Sequence, residues 1–379
     1  MKIQHQLILI PAIICLLSCS KDTRVPIYEV LQRANFQAQL NGKQTDLYFL
    51  KNEDIHAAIT NYGGRIVGLC VKNKFGEYTD VVLGLPSLEA YLNAKELYYG
   101  AIIGRVCNRI KNGRFELNDS TYQLPLNNGV NHIHGGPDGF HNVTWNVKTY
   151  TDSSLILSYL SKDGEMGYPG NLHVEVTYTL TANAELVINY YATTDKPTIV
   201  ALTNHAFFNM GGEASGTIHT HELFINADEY TPVDSTRVPY NVNLPVENTP
   251  FDFRKAKPIG RDINSTHEQL LVYGGYGSNF ALNKTKENAM TLAASVVERS
   301  SGCKMEIFTE EPAILLYGGN NMDGTDIGKY NKPFLYREAF CLETQHFIDA
   351  PNNNSFPSIV LNPEDTYRTT TVYKFSVID

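Results

Sequence analysis

The alternation of apolar and polar residues between positions 174 and 190 constrains the fold more than any other feature. An apolar residue stands at every second position from 174 to 180, and the same pattern resumes at 186–190 after a polar break at Asn183. A period of two is typical of a β-strand with one buried face, and a short polar break between two such runs predicts a hairpin. The stretch therefore predicts two antiparallel strands.

Further hairpins are predicted along the chain. Residues 145–160 turn at Asp152-Ser153, residues 290–308 turn near Ser301-Gly302, and residues 36–50 turn at Asn41-Gly42, a dipeptide suited to a tight primed turn. Helical signal is scarce: residues 86–92 predict one short helix with Ser87 as its N-cap. This distribution predicts an all-β fold, a large antiparallel β-sandwich or barrel.

The N-terminus indicates export. After Lys2, an apolar run from 7 to 17, interrupted only by Pro11, leads into Leu16-Leu17-Ser18-Cys19. The run is too short to span a membrane, which takes about 20 apolar residues. Its end resembles the bacterial lipoprotein box, in which cleavage leaves a lipid-modified cysteine as the new N-terminus. An ordinary secretory signal cleaved nearby is the alternative.

These features give the expected organisation of the chain. Residues 1–18 are interpreted as a lipoprotein signal peptide, Cys19 as the lipidation site, 19–33 as an N-terminal tether and 34–379 as one β-sandwich domain. The protein is then expected in the cell envelope, held to the membrane by its lipid anchor, on the periplasmic or the outer-membrane side.

Charge and cysteine usage exclude several classes of protein. Removing residues 1–18 takes away one base, Lys2, and no acid, so the formal charge moves from −9 to −10 and a nucleic acid is not expected as a partner. The cysteines beyond position 19 are widely spaced and form no C-x-x-C, so neither a zinc site nor a dense disulfide framework is predicted. They are Cys70, Cys107, Cys303 and Cys341.

Residues 201–212 carry a histidine suited to acid catalysis. His205 follows Thr203 and Asn204, which can orient its ring, and Phe207-Phe208 can supply an apolar wall. A histidine suits an acid that must hold and release a proton near neutral pH. A half-buried histidine in a strand-end loop is the other interpretation of this stretch.

Two other stretches contain groups that can bind the hydroxyls of a ligand. Asn108 and Arg109 lie just before a predicted strand, and the fixed fork of arginine donors suits adjacent sugar oxygens, although surface arginines also form casual ion pairs. In residues 131–136 two glycines let the backbone approach a ligand closely, and His134 lies at the bend.

The His-x-His spacing of His132 and His134 also admits a metal site. In a cupin barrel a glutamate would follow within a few residues and a third histidine would stand on a later strand, but here only Asp138 and His173 are candidates. Because a third and a fourth ligand have to be assumed, no metal is assigned.

Two acids stand between apolar residues, Asp252 in Phe-Asp-Phe-Arg and Glu343 in Cys-Leu-Glu-Thr. A carboxylate in such a strand is expensive to bury, so it usually has a partner or a chemical role. For Asp252 an ion pair with Arg254 explains the residue equally well. For Glu343 a chemical role is favoured.

Five short motifs occur together in this chain. They are Asn-Arg-Ile at 108–110, His-x-His-Gly-Gly at 132–136, Gly-Tyr-Pro-Gly-Asn-Leu at 167–172, Thr-Asn-His at 203–205 and Leu-Glu-Thr-Gln at 342–345. In content and order they resemble the aldose 1-epimerase (mutarotase) family, and the resemblance runs from about residue 34 to the C-terminus. It implies a galactose mutarotase-like β-supersandwich with the sugar lying across one sheet. Carried over by motif, it implies His205 as proton donor, Glu343 as base, and His134, Asn108, Arg109 and Asp252 as sugar ligands.

The chemistry explains why such a site needs these residue types. Interconverting the anomers of an aldose requires deprotonation of the C1 hydroxyl and protonation of the ring oxygen, so that the ring opens and recloses on its other face. A glutamate ionised near pH 7 can accept the first proton and a protonated histidine can supply the second. His134 or Arg109 can stabilise the developing negative charge on oxygen. No metal, nucleotide or redox cofactor is required.

One departure from the family pattern affects specificity. Gly277-Ser278-Asn279-Phe280 stands where family members typically have an Asp-His pair before an aromatic residue. The preferred aldose therefore cannot be carried over from the family. Asn279 either makes a polar contact in place of the missing pair or occupies a turn. The sequence favours a cofactor-free aldose 1-epimerase acting on free aldohexoses of the glucose or galactose type. A non-catalytic carbohydrate-binding lipoprotein and a cupin-like metalloenzyme are the alternatives.

Overall fold

The computed structural model describes residues 25–378. The predicted signal peptide and the predicted lipidation site, Cys19, lie outside the described residues. In the predicted tether, Ile27–Val30 forms a helix whose Ile27 and Val30 side chains are buried, so this part of the segment packs on the domain. Across residues 25–378 no helix combines the length and apolarity needed to cross a membrane.

The hairpin predicted at 174–190 forms the middle of a nine-stranded antiparallel sheet. Leu172–Thr181 pairs with Glu185–Thr194, and alternate residues of both strands are buried, as the period of two predicts. The hairpins predicted at 145–160 and 290–308 belong to the same sheet. In spatial order its strands are Asn146–Tyr150, Ser154–Ser161, Leu172–Thr181, Glu185–Thr194, Tyr367–Val377, Cys303–Thr309, Thr291–Val297, Glu222–Ile225 and Lys257–Pro258.

Two smaller antiparallel sheets pack against the nine-stranded sheet. The four-stranded sheet consists of Leu47–Lys51, Ile55–Thr60, Arg65–Lys72 and Tyr78–Asp80. The five-stranded sheet consists, in spatial order, of Leu244–Pro245, Glu229–Thr231, Gly277–Ala281, Ala313–Tyr317 and Cys341–Gln345.

The main core lies where the three sheets meet. Its buried cluster joins Val176 of the nine-stranded sheet with Ile59 of the four-stranded sheet and Leu342 of the five-stranded sheet. Burying apolar side chains of separate sheets against one another is the dominant favourable contribution to such a fold. The predicted all-β class and large antiparallel β-sandwich are confirmed.

Short elements complete the described chain. The predicted helix is Leu88–Leu92, and the Ser87 hydroxyl caps it by accepting a hydrogen bond from the Ala90 N–H at 3.1 Å. The other helical turns are Glu268–Leu271 and the 3-10 turns Arg33–Phe36, Lys111–Gly113, Phe140–Asn142, Glu165–Gly167, Ile218–Thr220, Ile259–Arg261 and Ala350–Asn352. Two-stranded pairs join Ala38–Leu40 to Lys43–Thr45, Arg109–Ile110 to His132–Ile133, Arg114–Leu117 to Ser120–Gln123, Thr198–Ile199 to Val360–Leu361, and Ile102–Ile103 to Thr203–Asn204.

The four cysteines of residues 25–378 are buried and free. One of them, Cys341, lies in the five-stranded sheet beside the site described next.

Candidate functional site

A cavity of about 140 Å³ opens on the five-stranded sheet, on the face turned away from the main core. Leu315 lies opposite Glu343 in the register, and Gly277 lies opposite Tyr317. All four residues line the cavity. Their neighbour Leu342 points to the other face, because side chains alternate along a strand, and joins the core. The sheet therefore supplies a rigid floor for the site.

Glu343 is the carboxylate of this floor. Its side chain is buried, and its Oε2 has no hydrogen-bond partner within residues 25–378. Burial, together with the nearby carboxylate of Glu96 and against a smaller lowering by Arg109, raises the pKa of Glu343 to about 8. Glu343 lines the cavity, and a buried carboxylate that protein donors leave unsatisfied can accept a hydrogen bond from a ligand hydroxyl.

His205 is held against Glu343 from a neighbouring strand pair. Its backbone N–H donates to the Ala101 carbonyl at 2.9 Å, and the Thr203 hydroxyl donates to the Thr344 carbonyl at 2.8 Å. The second bond ties Thr203–Asn204 to the strand that carries Glu343. The sequence predicts that Thr203 and Asn204 orient the His205 ring. Instead, they position the backbone, and other groups orient the ring.

The His205 ring is oriented by sulfur and by aromatic faces. Its Nδ1 lies 3.5 Å from the Cys341 Sγ, and its ring stacks on Phe207 at 5.0 Å and on Tyr98 at 5.6 Å between centroids. The predicted apolar wall is therefore Phe207. Phe208 packs instead against Phe340 and the core.

His205 and Glu343 form the central pair of the site, with Nε2 3.4 Å from Oε1. Burial lowers the pKa of His205 to about 4. The two shifts point in opposite directions, so the pair holds one proton between about pH 4 and pH 8, and that proton resides mainly on Glu343. This corrects the expectation of an ionised glutamate beside a protonated histidine at pH 7.

His134 faces the same pair as a neutral donor. The Asn108 N–H donates to its Nδ1 at 3.1 Å, so the proton of the neutral ring lies on Nε2. Burial, with the nearby His205, lowers the pKa of His134 well below its usual value. Gly135 next to it has φ +81°, and a Cβ there would come within 1.7 Å of the Gly104 carbonyl oxygen. That glycine serves a close backbone approach within the protein.

Arg109 reaches the cavity from the short strand Arg109–Ile110. Its Nε donates to the Asn128 Oδ1 at 2.9 Å and its Nη1 donates to the Asn108 Oδ1 at 3.3 Å. These bonds fix the plane of the guanidinium while leaving Nη2 available to a ligand. Asn108 and Asn128 also line the cavity, so the structure brings five of the six predicted site residues together.

Asp252 is the exception. The structure places it outside the cavity, where Arg254 donates to its two carboxylate oxygens at 2.9 and 2.8 Å. Its side chain is 29 % exposed, and the Arg254 hydrogen bonds hold its pKa below the usual range. The apolar neighbours Phe251 and Phe253 are buried while the acid turns outward. The alternative weighed from the sequence, an ion pair with Arg254, is the arrangement observed.

The metal alternative built on His132 also fails on geometry. The His132 Nδ1 lies 2.7 Å from the Pro125 carbonyl oxygen and its Nε2 lies 2.8 Å from the Tyr168 hydroxyl, so both ring nitrogens are engaged. A different trio, His134, His205 and Glu343, offers ligand atoms within 4.8 Å of one another. His134 suits a metal poorly there, because its Nε2 carries the proton while Asn108 occupies Nδ1.

Several cavity residues carry no signal in the sequence. Glu96 and Tyr98 come from the loop before Gly100, and Arg237, Tyr273 and Asn321 come from three distant segments. Burial raises the pKa of Glu96 to about 7. None of these residues stands in a motif or a periodic run, so only the tertiary fold shows that they share a site.

Asn279 fulfils neither of its two expected roles. It lies in the strand Gly277–Ala281, fully buried, and donates to the Thr231 hydroxyl at 3.1 Å. The cavity is lined instead by the backbone of Gly277.

Comparison with known proteins agrees with this geometry. The model of the aldose 1-epimerase family matches residues 46–374. This chain belongs to the aldose 1-epimerase family. The family match includes the strands that carry His205 and Glu343 and the loop that carries His134.

Individual relatives are similar over nearly their whole length. A galactose mutarotase from Rattus norvegicus is 42% identical over 336 residues, 89% of this chain and 95% of that protein. An aldose 1-epimerase from Escherichia coli K12 is 34% identical, over 88% of this chain and 96% of that protein. The crystal structure of an aldose epimerase homologue from C. elegans matches with a TM-score of 0.82 and 30% identity, over 88% of this chain and 100% of that one. These matches support anomer interconversion as the reaction of this member of the family.

Proposed function

We propose that this epimerase interconverts the α and β anomers of free aldohexoses of the glucose or galactose type by general acid–base ring opening and closure. One observation carries the proposal: the His205 Nε2 lies 3.4 Å from the Glu343 Oε1 at the floor of a cavity that can admit a sugar. A pair that shares one proton can take a proton from one substrate oxygen while giving one to another.

The residues divide the proton transfers as follows. The C1 hydroxyl donates to the Glu343 carboxylate, and this hydrogen bond favours the ionised carboxylate and so lowers its pKa. The shared proton then moves onto His205, which is free to accept it at Nε2 when Nδ1 donates to the Cys341 sulfur. Glu343 takes the hydroxyl proton, His205 protonates the ring oxygen, and the C1–O5 bond breaks to give the aldehyde.

Two donors support the charge that develops on oxygen. The His134 Nε2–H and the free Nη2 of Arg109 both point to the cavity that holds the pair. Fixed donors aimed at a developing oxyanion cost no reorganisation during the reaction. Rotation about C1–C2 presents the other face of the aldehyde, and the reverse transfers close the ring as the second anomer.

Exchange spectroscopy by NMR separates this function from sugar binding alone. At equilibrium, magnetisation transfer between the α and β anomeric protons of galactose or glucose should accelerate in proportion to enzyme concentration. A carbohydrate-binding protein would broaden or shift the sugar signals without transfer between anomers. Binding without exchange for every aldohexose tested would therefore reject catalysis and support the binding alternative.

The pH dependence of kcat/KM should be bell-shaped. The active pair carries one proton, so activity should fall on the acid side as His205 takes up a second proton near pH 4, and on the basic side as Glu343 loses the shared proton near pH 8. Initial rates across this range, corrected for spontaneous anomerisation in the same buffers, provide the profile. Activity that stays constant from neutral pH to pH 10 would contradict a shared-proton pair.

Removing metals should leave anomer exchange unchanged. The proton on the His134 Nε2 opposes ligation at the trio it forms with His205 and Glu343. Dialysis against a strong chelator followed by the exchange measurement tests this expectation. Loss of activity that one added metal restores would instead establish a metalloenzyme.

We also propose that the protein is an exported lipoprotein of the cell envelope, anchored through Cys19 after removal of residues 1–18. The support is the apolar run that ends in Leu16-Leu17-Ser18-Cys19. Cys19→Ala should move the protein from the membrane fraction to the soluble envelope fraction, or leave an uncleaved precursor. Membrane partitioning of a correctly cleaved Cys19→Ala variant equal to that of the parent would reject the anchor.

A further inference from the structure

One wall of the cavity plays no part in the proton transfers. The Arg237 guanidinium carbon lies 4.9 Å from the centre of the Tyr273 ring, and both residues line the cavity beside Gly277. A Cβ at position 277 would come within 2.2 Å of the Tyr273 ring carbon Cδ1. The tyrosine ring therefore covers the backbone of Gly277, and no side chain can project from that position unless the ring moves.

This wall presents donors without acceptors. The Tyr273 hydroxyl is buried and has no hydrogen-bond partner among residues 25–378. The Arg237 side chain makes one long hydrogen bond, from Nη2 to the Val272 carbonyl at 3.4 Å. Within the same residues no carboxylate lies within 4.0 Å of the Arg237 guanidinium. A buried hydroxyl left unpaired is costly, and an acceptor-rich ligand would satisfy the Tyr273 hydroxyl together with the partly exposed Arg237 guanidinium.

A second guanidinium reinforces the positive charge. Arg109 lines the same cavity and is 6 % exposed, and its nitrogens contact amide oxygens of Asn108 and Asn128. Burial lowers its pKa, and the repulsion from Arg237 adds to that lowering. Two like charges facing one cavity repel each other, and an anion bound between them relieves the repulsion.

The two acids of the cavity offset this charge only in part. Burial raises the pKa of Glu96 to about 7 and that of Glu343 to about 8, so near neutral pH both carboxyl groups are substantially protonated. The Glu96 Oε1 also accepts a hydrogen bond from the Tyr98 N–H at 3.1 Å, within its own loop. Neither acid forms a salt bridge with Arg237.

We infer that the cavity selects aldoses that carry an anionic substituent away from the anomeric carbon, a carboxylate or a phosphate, bound by Arg237 and Tyr273. The inference rests on the proposed function and narrows its substrate class. A guanidinium and a hydroxyl together match an anionic oxygen group, since the guanidinium fork binds two oxygens and the tyrosine donates one further hydrogen bond. Hexuronates and aldose 6-phosphates are the matching classes.

Anomerisation rates on matched sugars test the inference with the full-length protein. The probes are D-galacturonate and D-glucuronate for a carboxylate, D-glucose 6-phosphate for a phosphate, and D-galactose and D-glucose as neutral controls. At least one anionic sugar should exceed its neutral counterpart in kcat/KM by about tenfold or more, the usual value of one charge-assisted hydrogen bond. The sugar that leads distinguishes carboxylate from phosphate.

Two variants assign the preference to this wall. Arg237→Gln removes the charge, and the ratio of anionic to neutral kcat/KM should fall by about 10- to 100-fold, mainly through KM for the anionic sugar. Tyr273→Phe keeps the ring against Gly277 and should lower the same ratio by a few-fold. Arg254→Gln, at the exposed pair with Asp252 outside the cavity, is the matched control and should leave the ratio unchanged.

The possible results distinguish failure of this inference from failure of the proposed epimerase activity. Turnover of neutral sugars with no anionic preference, or a ratio that Arg237→Gln leaves unchanged in a folded variant, would overturn the inference while the epimerase activity stands. Should Arg237→Gln fail to fold, the ratio in Tyr273→Phe decides. If the protein turns over none of the five sugars, the proposed function itself is overturned.

Discussion

Glu343→Gln is expected to lower the rate of anomer exchange by at least about 10²-fold, the usual minimum for loss of a general base. The amide keeps the shape of the side chain, and its carbonyl oxygen can accept a hydrogen bond, but it cannot take up the C1 hydroxyl proton. Because the change leaves the floor of the cavity intact, sugar binding should persist. Exchange spectroscopy and a binding isotherm on the same preparation measure the two effects separately.

His205→Asn and the double variant provide the controls for this prediction. His205→Asn should cut kcat to a similar degree, since the proton of the pair can then no longer reach the ring oxygen. The His205 Nε2 lies 3.4 Å from the Glu343 Oε1, so the two residues act together in one proton relay. The activity of the double variant should therefore be little lower than that of the less active single variant. Near-parental turnover in Glu343→Gln, on whichever sugar the parent uses best, would show that the base is another residue.

Lys329→Met should destabilise the fold by about 3–5 kcal/mol, the cost of removing one partner from a buried ion pair. The Lys329 Nζ contacts Glu213, lies 3.1 Å from the Asp80 Oδ2, and donates to the Val82 carbonyl at 2.6 Å. All three ionisable side chains are fully buried. Without the ammonium, two carboxylates share one apolar site, and one of them must take up a proton.

Urea unfolding with Lys304→Met as the control tests this expectation. Lys304 pairs with Glu306 at 2.9 Å on the half-exposed face of the nine-stranded sheet, where a salt bridge contributes about 0–1 kcal/mol. A shift in the free energy of unfolding for Lys329→Met no larger than that for Lys304→Met would contradict the importance of the buried cluster.

The parts of the fold that the sequence predicts are those set by neighbouring residues. The hairpin at Asn183 and the capped helix after Ser87 follow from period, turn chemistry and capping, all of which act within a few residues. The five-stranded sheet is different. It pairs strands as distant as Glu229–Thr231 and Gly277–Ala281, and only packing across the whole core decides which short strands meet.

In the candidate site, too, the sequence predicts the residues that stand in local motifs and misses those that only the tertiary fold brings in. The sequence motifs predict Asn108, Arg109, His134, His205 and Glu343, and the structure brings these five residues together. The resemblance implied Asp252 as a sugar ligand, but this acid lies outside the cavity in an ion pair with Arg254, because its apolar neighbours do not determine which way an acid turns at a strand end. Arg237 and Tyr273 contribute single side chains from loops, and nothing in their local sequence distinguishes them from ordinary surface residues.

The decay of optical rotation from pure α-galactose, α-glucose or α-galacturonate measures whether this protein catalyses anomerisation through Glu343. Traces are recorded for the parent protein and for Glu343→Gln at equal concentration, beside the spontaneous reaction in the same buffer. We expect the parent to accelerate the decay in proportion to its concentration on at least one of these sugars, while Glu343→Gln stays close to the spontaneous rate. A parent trace indistinguishable from the spontaneous one on all three sugars, or equal acceleration by both proteins, would contradict this expectation.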